Sequence, residues 1–244
     1  MKTYFHAFLM CQSMFCAIPC PSQIWDEKAR DKMLPMLPLV GLELGLLWAV
    51  LDDLAMLLKL PGVVTALILG AYPFVVTGYL HLDGFMDVTD AVRSCRDLDR
   101  RREILKDSHV GSFAVIGLCL LLVTQVAFLT LGVGERKILI FLPAVSRCGS
   151  ALAVMTLPAM STSQYSGQKK SRGHILAVAV MAAIFIAAGF LLCGRYGFAL
   201  LACLAGYGLA LRKAYRSLEG MNGDIAGYAL TMGELWGLIV CTLL

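Results

Sequence analysis

In the stretch His81-Leu82-Asp83-Gly84-Phe85-Met86-Asp87-Val88-Thr89-Asp90-Ala91, three aspartates recur at i, i+4 and i+7. If the chain is helical here, Asp83, Asp87 and Asp90 share one face. Three stacked carboxylates repel unless something positive lies among them. Hard oxygen ligands at this density suit Mg²⁺ or Mn²⁺, which keep several waters and take their other ligands from carboxylates and substrate phosphates. The bland alternative is a solvated acidic helix end neutralised by nearby arginines. Three acids at the edge of an apolar helix are costly to keep without a function, and the metal reading is preferred.

A cationic run follows: Arg93, Arg96, Arg100, Arg101, Arg102 and Lys106, then Asp107-Ser108-His109-Val110-Gly111-Ser112-Phe113. Alone, such a run is more often a topology signal or an anionic-lipid contact. Beside an acidic metal site, Arg and Lys are the usual means of clamping a pyrophosphate and neutralising charge during phosphoryl transfer. Asp107 and Ser108 are also suited to capping the next helix. Arg147 lies in an apolar stretch and calls for a carboxylate or a substrate phosphate, because an unpaired charge there is expensive. Asp224, ahead of the last apolar run, is either a helix cap or a fourth acid. Glu43 and Glu234 are intramembrane acids without an assigned role, and His6, His109 and His174 suit surface or interface positions better than ligand positions.

The elements that must hold these residues are apolar helices. The 244-residue chain is 59% hydrophobic and 16% charged, against about a quarter charged in a soluble domain. Its mean hydropathy is +0.75. Seven runs approach the roughly 20 residues that span a bilayer: about 34–51, 61–80, 110–132, 138–158, 174–193, 197–211 and 226–244. No Ser/Gly/Pro-rich linker divides them. The expected fold is therefore all-α, a polytopic transmembrane bundle forming one integral membrane domain over 1–244. The N-terminal 20 residues lack a small-x-small cleavage site, and Pro19 and Pro21 break the stretch, which suits a half-inserted or interfacial helix rather than a signal peptide.

With these spans, sixteen of the 21 Lys and Arg residues fall on one side and four on the other, with Arg147 inside a span. The positive-inside rule then puts the loop at about 81–109 in the cytoplasm, at the face of a cytoplasmic (inner) membrane. The net charge of +4 is spread among loops, which argues against nucleic acid as a partner and for the lipid bilayer. Nine cysteines include no CxxC pair, so zinc-type spacing is missing and buried thiols are expected.

On these residues the sequence resembles cobalamin synthase, the adenosylcobinamide-GDP ribazoletransferase family. The resemblance is carried by Ile18-Pro19-Cys20-Pro21 with Pro38-Leu39-Val40-Gly41, by His81 to Ala91, by Arg102-Glu103-Ile104-Leu105-Lys106-Asp107-Ser108-His109-Val110-Gly111-Ser112-Phe113, and by Gly223-Asp224. The block from His81 to Ser108 is the specific part. Three departures stand out. The family tends to read Ala-Asp-Thr-Ala-Asp-Gly where this chain has Met86 to Ala91. Its Thr-Arg before Ile-Pro is Cys16-Ala17, and its Gly-Asp-x-x-Gly-Ala ends here in Tyr228.

The resemblance implies a multi-pass enzyme in which a ribose hydroxyl of α-ribazole, or of its phosphate, attacks the corrinoid-side phosphate of adenosylcobinamide-GDP with Mg²⁺ assisting. GMP leaves, and adenosylcobalamin or its phosphate forms. Carried onto this chain, Asp83 and Asp87 ligate Mg²⁺, and Asp90 completes the shell or takes the hydroxyl proton. Asp107 joins that shell or orients Lys106. Arg102 and Lys106 hold the diphosphate, with His81 and Arg147 as further candidates. A small transporter would also use intramembrane acids, but near the bilayer midplane rather than at a span's end. A CDP-alcohol phosphotransferase would show DGxxAR, whereas Asp83-Gly84 is followed by Phe85-Met86-Asp87-Val88.

Overall fold

The computed structural model describes residues 2–20, 25–161, 163 and 171–244, and about 79% of the chain is helical. Ten α-helices follow in chain order: α1 Lys2–Phe15, α2 Met33–Leu57, α3 Gly62–Val76, α4 Leu80–Arg93, α5 Leu98–Ile104, α6 Ser112–Leu129, α7 Ile138–Thr156, α8 Arg172–Cys193, α9 Phe198–Leu218 and α10 Gly223–Leu243. No strand occurs among the described residues. A single parallel bridge, Ala159 to Met221, ties the segment after α7 to the turn between α9 and α10.

Five helical stretches are long and apolar enough to cross a membrane, or six if the bent pair α3–α4 counts as one. The expected spans at 174–193 and 197–211 fall within one of them, Arg172–Leu218. That stretch turns sharply at Gly194, whose φ is +56°. The rings of Phe190 and Phe198, on either side of the turn, pack edge to face at 5.1 Å. Leu120, Val123, Leu176, Leu191 and Leu209 are each more than 60% exposed. So many bare leucines and valines suit a lipid environment and not water. This is a membrane protein.

The centre of the bundle is α7, which is buried along most of its length. Helix α2 crosses it with backbones in contact. A Cβ on Gly41 would strike the carbonyl of Pro143, and one on Gly45 the carbonyl of Ile140. Small residues one turn apart are the usual means of bringing membrane helices this close. Three interior polar side chains bond across helices: Gln12 Nε2 donates to Glu43 Oε1 (3.1 Å), Trp48 Nε1 to Leu69 O (3.0 Å) and Gln125 Nε2 to Gly70 O (3.0 Å). Each bond staples two helices, α1 to α2, α2 to α3 and α6 to α3.

Arg147, 1% exposed, donates from Nη1 to Glu234 Oε1 at 2.8 Å and to Pro143 O at 3.1 Å. Ser146 Oγ donates to the same carboxylate oxygen at 2.7 Å. The carboxylate that Arg147 called for is thus Glu234, and the pair ties α7 to α10.

Removing one partner of a buried pair strands the other, at a cost of about 3–5 kcal/mol. Glu234→Ala is expected to lower the melting temperature of the detergent-solubilised protein clearly, and the double change Glu234→Ala with Arg147→Met to recover most of the loss. Equal melting of wild type and Glu234→Ala would remove the pair from the account of stability.

Candidate active site

The acidic helix is set by a break in the backbone. Gly78 and Tyr79 both take left-handed φ, +59° and +64°, and α4 leaves the end of α3 bent by 90°. The stretch expected as a loop at 81–109 therefore contains two helices, α4 and α5. Tyr79 in this conformation carries a steric cost that glycine would not. What holds α4 in place is α10. A Cβ on Gly84 would sit 2.9 Å from both Cα and O of Asp224, and one on Gly227 would sit 3.2 Å from Cα of His81. Thr231 Oγ1 donates to His81 O at 3.3 Å. Two glycines, one on each helix, allow this approach.

The crossing brings carboxylates together. Asp83 is exposed and Asp87 half-buried on one face of α4, and Asp224 stands half-buried in the first turn of α10. Asp83, Asp224 and Asp90 all lie near enough to act on the charge of Asp87, and Asp83 on that of Asp224. Among the described residues none of these four acids makes an ion pair. The sequence left Asp224 open between cap and fourth acid. Asn222 is the cap, its Oδ1 accepting from the Ile225 amide at 3.0 Å, while its Nδ2 donates to Asp224 Oδ2 at 2.6 Å. Asp224 is thereby free of the capping role and oriented by its neighbour.

Asp90 sits apart from this group. Its Oδ1 accepts from the Ala114 amide at 3.4 Å, and a Cβ on Gly111 would fall onto its carboxylate. It occupies the N-terminal end of α6, where unpaired amides favour an anion. Asp107 is more distant in role. It is exposed, accepts from the His109 amide at 3.0 Å and meets His109 Nδ1 at 2.7 Å. These bonds hold its carboxyl below the usual carboxylate range. No contact joins it to the α4 acids, so the expected four-aspartate shell is not assembled as one cluster.

The cations divide as well. Arg101 Nη1 donates to Ser217 O at 3.1 Å, and Arg102 donates from Nε to Leu218 O at 3.0 Å and from Nη2 to Glu219 O at 2.9 Å. Both cap the carbonyl end of α9, a role that position in sequence could not reveal. Arg102 and Lys106 also line a cleft of about 880 Å³, together with Ser161, Glu219, Asn222 and Asp224. Ala159, which is bridged to Met221, and Met160 form part of its wall.

The other two diphosphate candidates lie elsewhere. Arg147 does not line the cleft and is engaged by Glu234. His81 is buried, faces Phe15 with nearly parallel rings 6.4 Å apart, and its Nε2 has no hydrogen-bond partner among the described residues. It lines a small, mainly apolar cavity that shares Asp224 with the cleft.

Among the described residues no three His, Cys, Asp or Glu side chains converge closely enough to hold a metal ion unaided. Mg²⁺ does not require that. It is commonly held by one or two carboxylates, with waters and substrate phosphates filling the shell. Asp83 and Asp87 with Asp224 nearby fit such a site, and Asp224 also lines the cleft, where Arg102 and Lys106 stand among Asp99, Glu103 and Glu219.

Comparison with known proteins gives the family. A family model described as "Cobalamin-5-phosphate synthase" matches residues 7–242. A Clostridium perfringens (strain SM101 / Type A) protein described as adenosylcobinamide-GDP ribazoletransferase is 33% identical over 247 residues, which cover 98% of each chain. Proteins of the same description from Clostridium botulinum (strain Alaska E43 / Type E3) and Brevibacillus brevis are 34% and 32% identical, over 98% and 96% of this chain and 97% of each relative. No solved structure matches. With the model matched almost end to end and relatives above 30% identity over nearly full length, the chain belongs to the cobalamin-5-phosphate synthase family.

Proposed function

We propose that this protein joins α-ribazole, or its phosphate, to adenosylcobinamide-GDP, as the descriptions of its relatives indicate. In this reading the ribose hydroxyl oxygen bonds to the corrinoid-side phosphorus, the phosphoanhydride bond breaks, and GMP departs with the bonding electrons. The observation that carries the reading is the α4–α10 crossing, which packs the helix bearing Asp83 and Asp87 against Asp224, and Asp224 in turn lines the cleft that holds Lys106 and Arg102.

Mg²⁺ is part of the proposal: bound by Asp83 and Asp87, it would supply Lewis-acid charge to the diphosphate. The rest falls to the protein's own groups. Lys106, which makes no ion pair among the described residues, binds phosphate oxygens, and Arg102 contributes whatever donors α9 leaves it. Asp224 lines the cleft and is held by Asn222. It is the carboxylate best oriented to take the hydroxyl proton. Asp90, fixed at the start of α6, positions that helix against α4. The membrane is a cytoplasmic one with the cleft facing the cytoplasm, which the asymmetry of Lys and Arg supports.

Membranes containing the protein, incubated with adenosylcobinamide-GDP, α-ribazole and Mg²⁺, are expected to yield GMP and a completed corrinoid. Uptake of corrinoid without GMP would replace the reading with transport. Asp83→Asn and Asp87→Asn should each lower kcat about 10²–10³-fold, the usual loss on deleting a group that stabilises transition-state charge. Each should also shift the Mg²⁺ dependence to higher concentration, and wild-type Mg²⁺ dependence in both would remove the metal proposal. Gly111→Ala should displace Asp90 and cost at least about tenfold in activity, as misplacement near a site does. Gly62→Ala, where a Cβ meets nothing within 4 Å, is the control and should leave activity unchanged.

A further inference from the structure

On another side of α4 from the aspartates, a groove of about 240 Å³ runs between α4, α6 and α10. No acid lines it. One part of its lining holds Arg93, the last residue of α4, and Lys213, in the last turns of α9. Neither makes an ion pair among the described residues. Two uncompensated cations are therefore directed to one groove.

The depth of the groove can be read from the helices. Gly117 and Thr124 lie five and twelve residues beyond Ser112, where α6 begins, and Tyr228 and Leu235 lie five and twelve beyond Gly223, where α10 begins. At about 1.5 Å per residue, both walls extend from roughly 8 to 18 Å below the ends of their helices. Leu120 on this wall is 62% exposed, so the groove opens sideways onto the lipid. It is cationic where α4 and α9 end and apolar where α6 and α10 descend. Lys213 sits at a depth from which a flexible lysine stem carries its ammonium back toward headgroup level. Thr89, whose Oγ1 is buried without a partner among the described residues, lies one turn before Arg93 in the lining.

We propose that this groove is a binding site for an anionic phospholipid of the leaflet that faces the cleft. The headgroup phosphate lies against Arg93 and Lys213, and one acyl chain lies along Leu120 and Leu235. The inference does not rest on the transferase reading. It needs only that the chain is embedded in a bilayer. Its consequence for the site is mechanical: the occupant would fill the gap between α4, α6 and α10 and brace α4 on the side away from its aspartates.

Native mass spectrometry of the delipidated, detergent-solubilised protein with added phosphatidylglycerol or phosphatidylcholine tests this. Wild type should retain one phosphatidylglycerol with a preference of about 20-fold, since a basic residue at the headgroup level contributes roughly a factor of five. Arg93→Gln with Lys213→Gln should abolish the preference. Thr124→Trp, which leaves both charges in place but fills the apolar part, should release the lipid. Circular dichroism of both variants should match wild type. Equal retention of the two lipids, an unchanged preference in the charge variant, or retention in Thr124→Trp would each overturn the site. Release of the lipid by α-ribazole would assign the groove to substrate and overturn it too.

Discussion

The close approach of α4 to the first turns of α10 is the constraint on which the site depends. Nothing larger than hydrogen fits at Gly84, with Asp224 Cα and O 2.9 Å from where its Cβ would be, or comfortably at Gly227 against His81. Close helix contact in an apolar medium gains dispersion energy without needing a hydrophobic drive. Here the contact does something further. Asp83 adjoins Gly84, and Asp224 lies one turn before Gly227, so the surfaces that pack tightest carry the acids with them. The mutual repulsion of those acids is borne by the glycine-mediated packing, and the site is left short of positive charge. That deficit is what a cation-assisted diphosphate chemistry would use.

The position of α10 is itself fixed from the middle of the bundle. Glu234 stands ten residues beyond Asp224, about 15 Å along the helix, and is gripped by Arg147 and Ser146 of α7. Helix α7 is held in turn by α2 through Gly41 and Gly45. The chain of contacts from α2 to α7 to α10 to α4 contains no loop until it reaches the acids. A site built on such elements keeps its geometry better than one built on the connection at 81–109 that the sequence suggested.

Much of this was legible in the residues. The spacing of Asp83, Asp87 and Asp90 gave a shared face, and apolar length gave helices. The intramembrane charge of Arg147 required a partner, though whether carboxylate or phosphate was left open. The rest was not legible because it is tertiary. The 90° bend depends on Tyr79 adopting a left-handed φ, which no residue type announces. Asp90 looks like Asp83 and Asp87 in sequence, yet the start of α6 captures it, because Gly111 leaves room for a carboxylate there. Asp224 could be told from a cap only by seeing Asn222 take that role. A signal was present in Asn222-Gly223-Asp224-Ile225-Ala226-Gly227, where Asn is the better-placed cap and the glycine spacing marks a tight crossing.

The cationic run shows most clearly why charge in sequence is not charge in a site. Arg100 is spent on Glu103 at 2.7 Å, an exposed i, i+3 pair worth little. Arg101 and much of Arg102 are spent on the carbonyl end of α9. Arg93 turns to the groove, away from the cleft. Of six neighbours in sequence, Lys106 alone lines the cleft with neither an ion pair nor a carbonyl bond among the described residues. The cleft, lined by Asp99, Glu103, Glu219 and Asp224 against Arg102 and Lys106, is net negative. It cannot bind a diphosphate by protein charge alone, since like charges at this range repel even when partly screened. An added cation would offset that charge, and the capping of α9 by α5, which takes up Arg101 and part of Arg102, deepens the deficit it would meet.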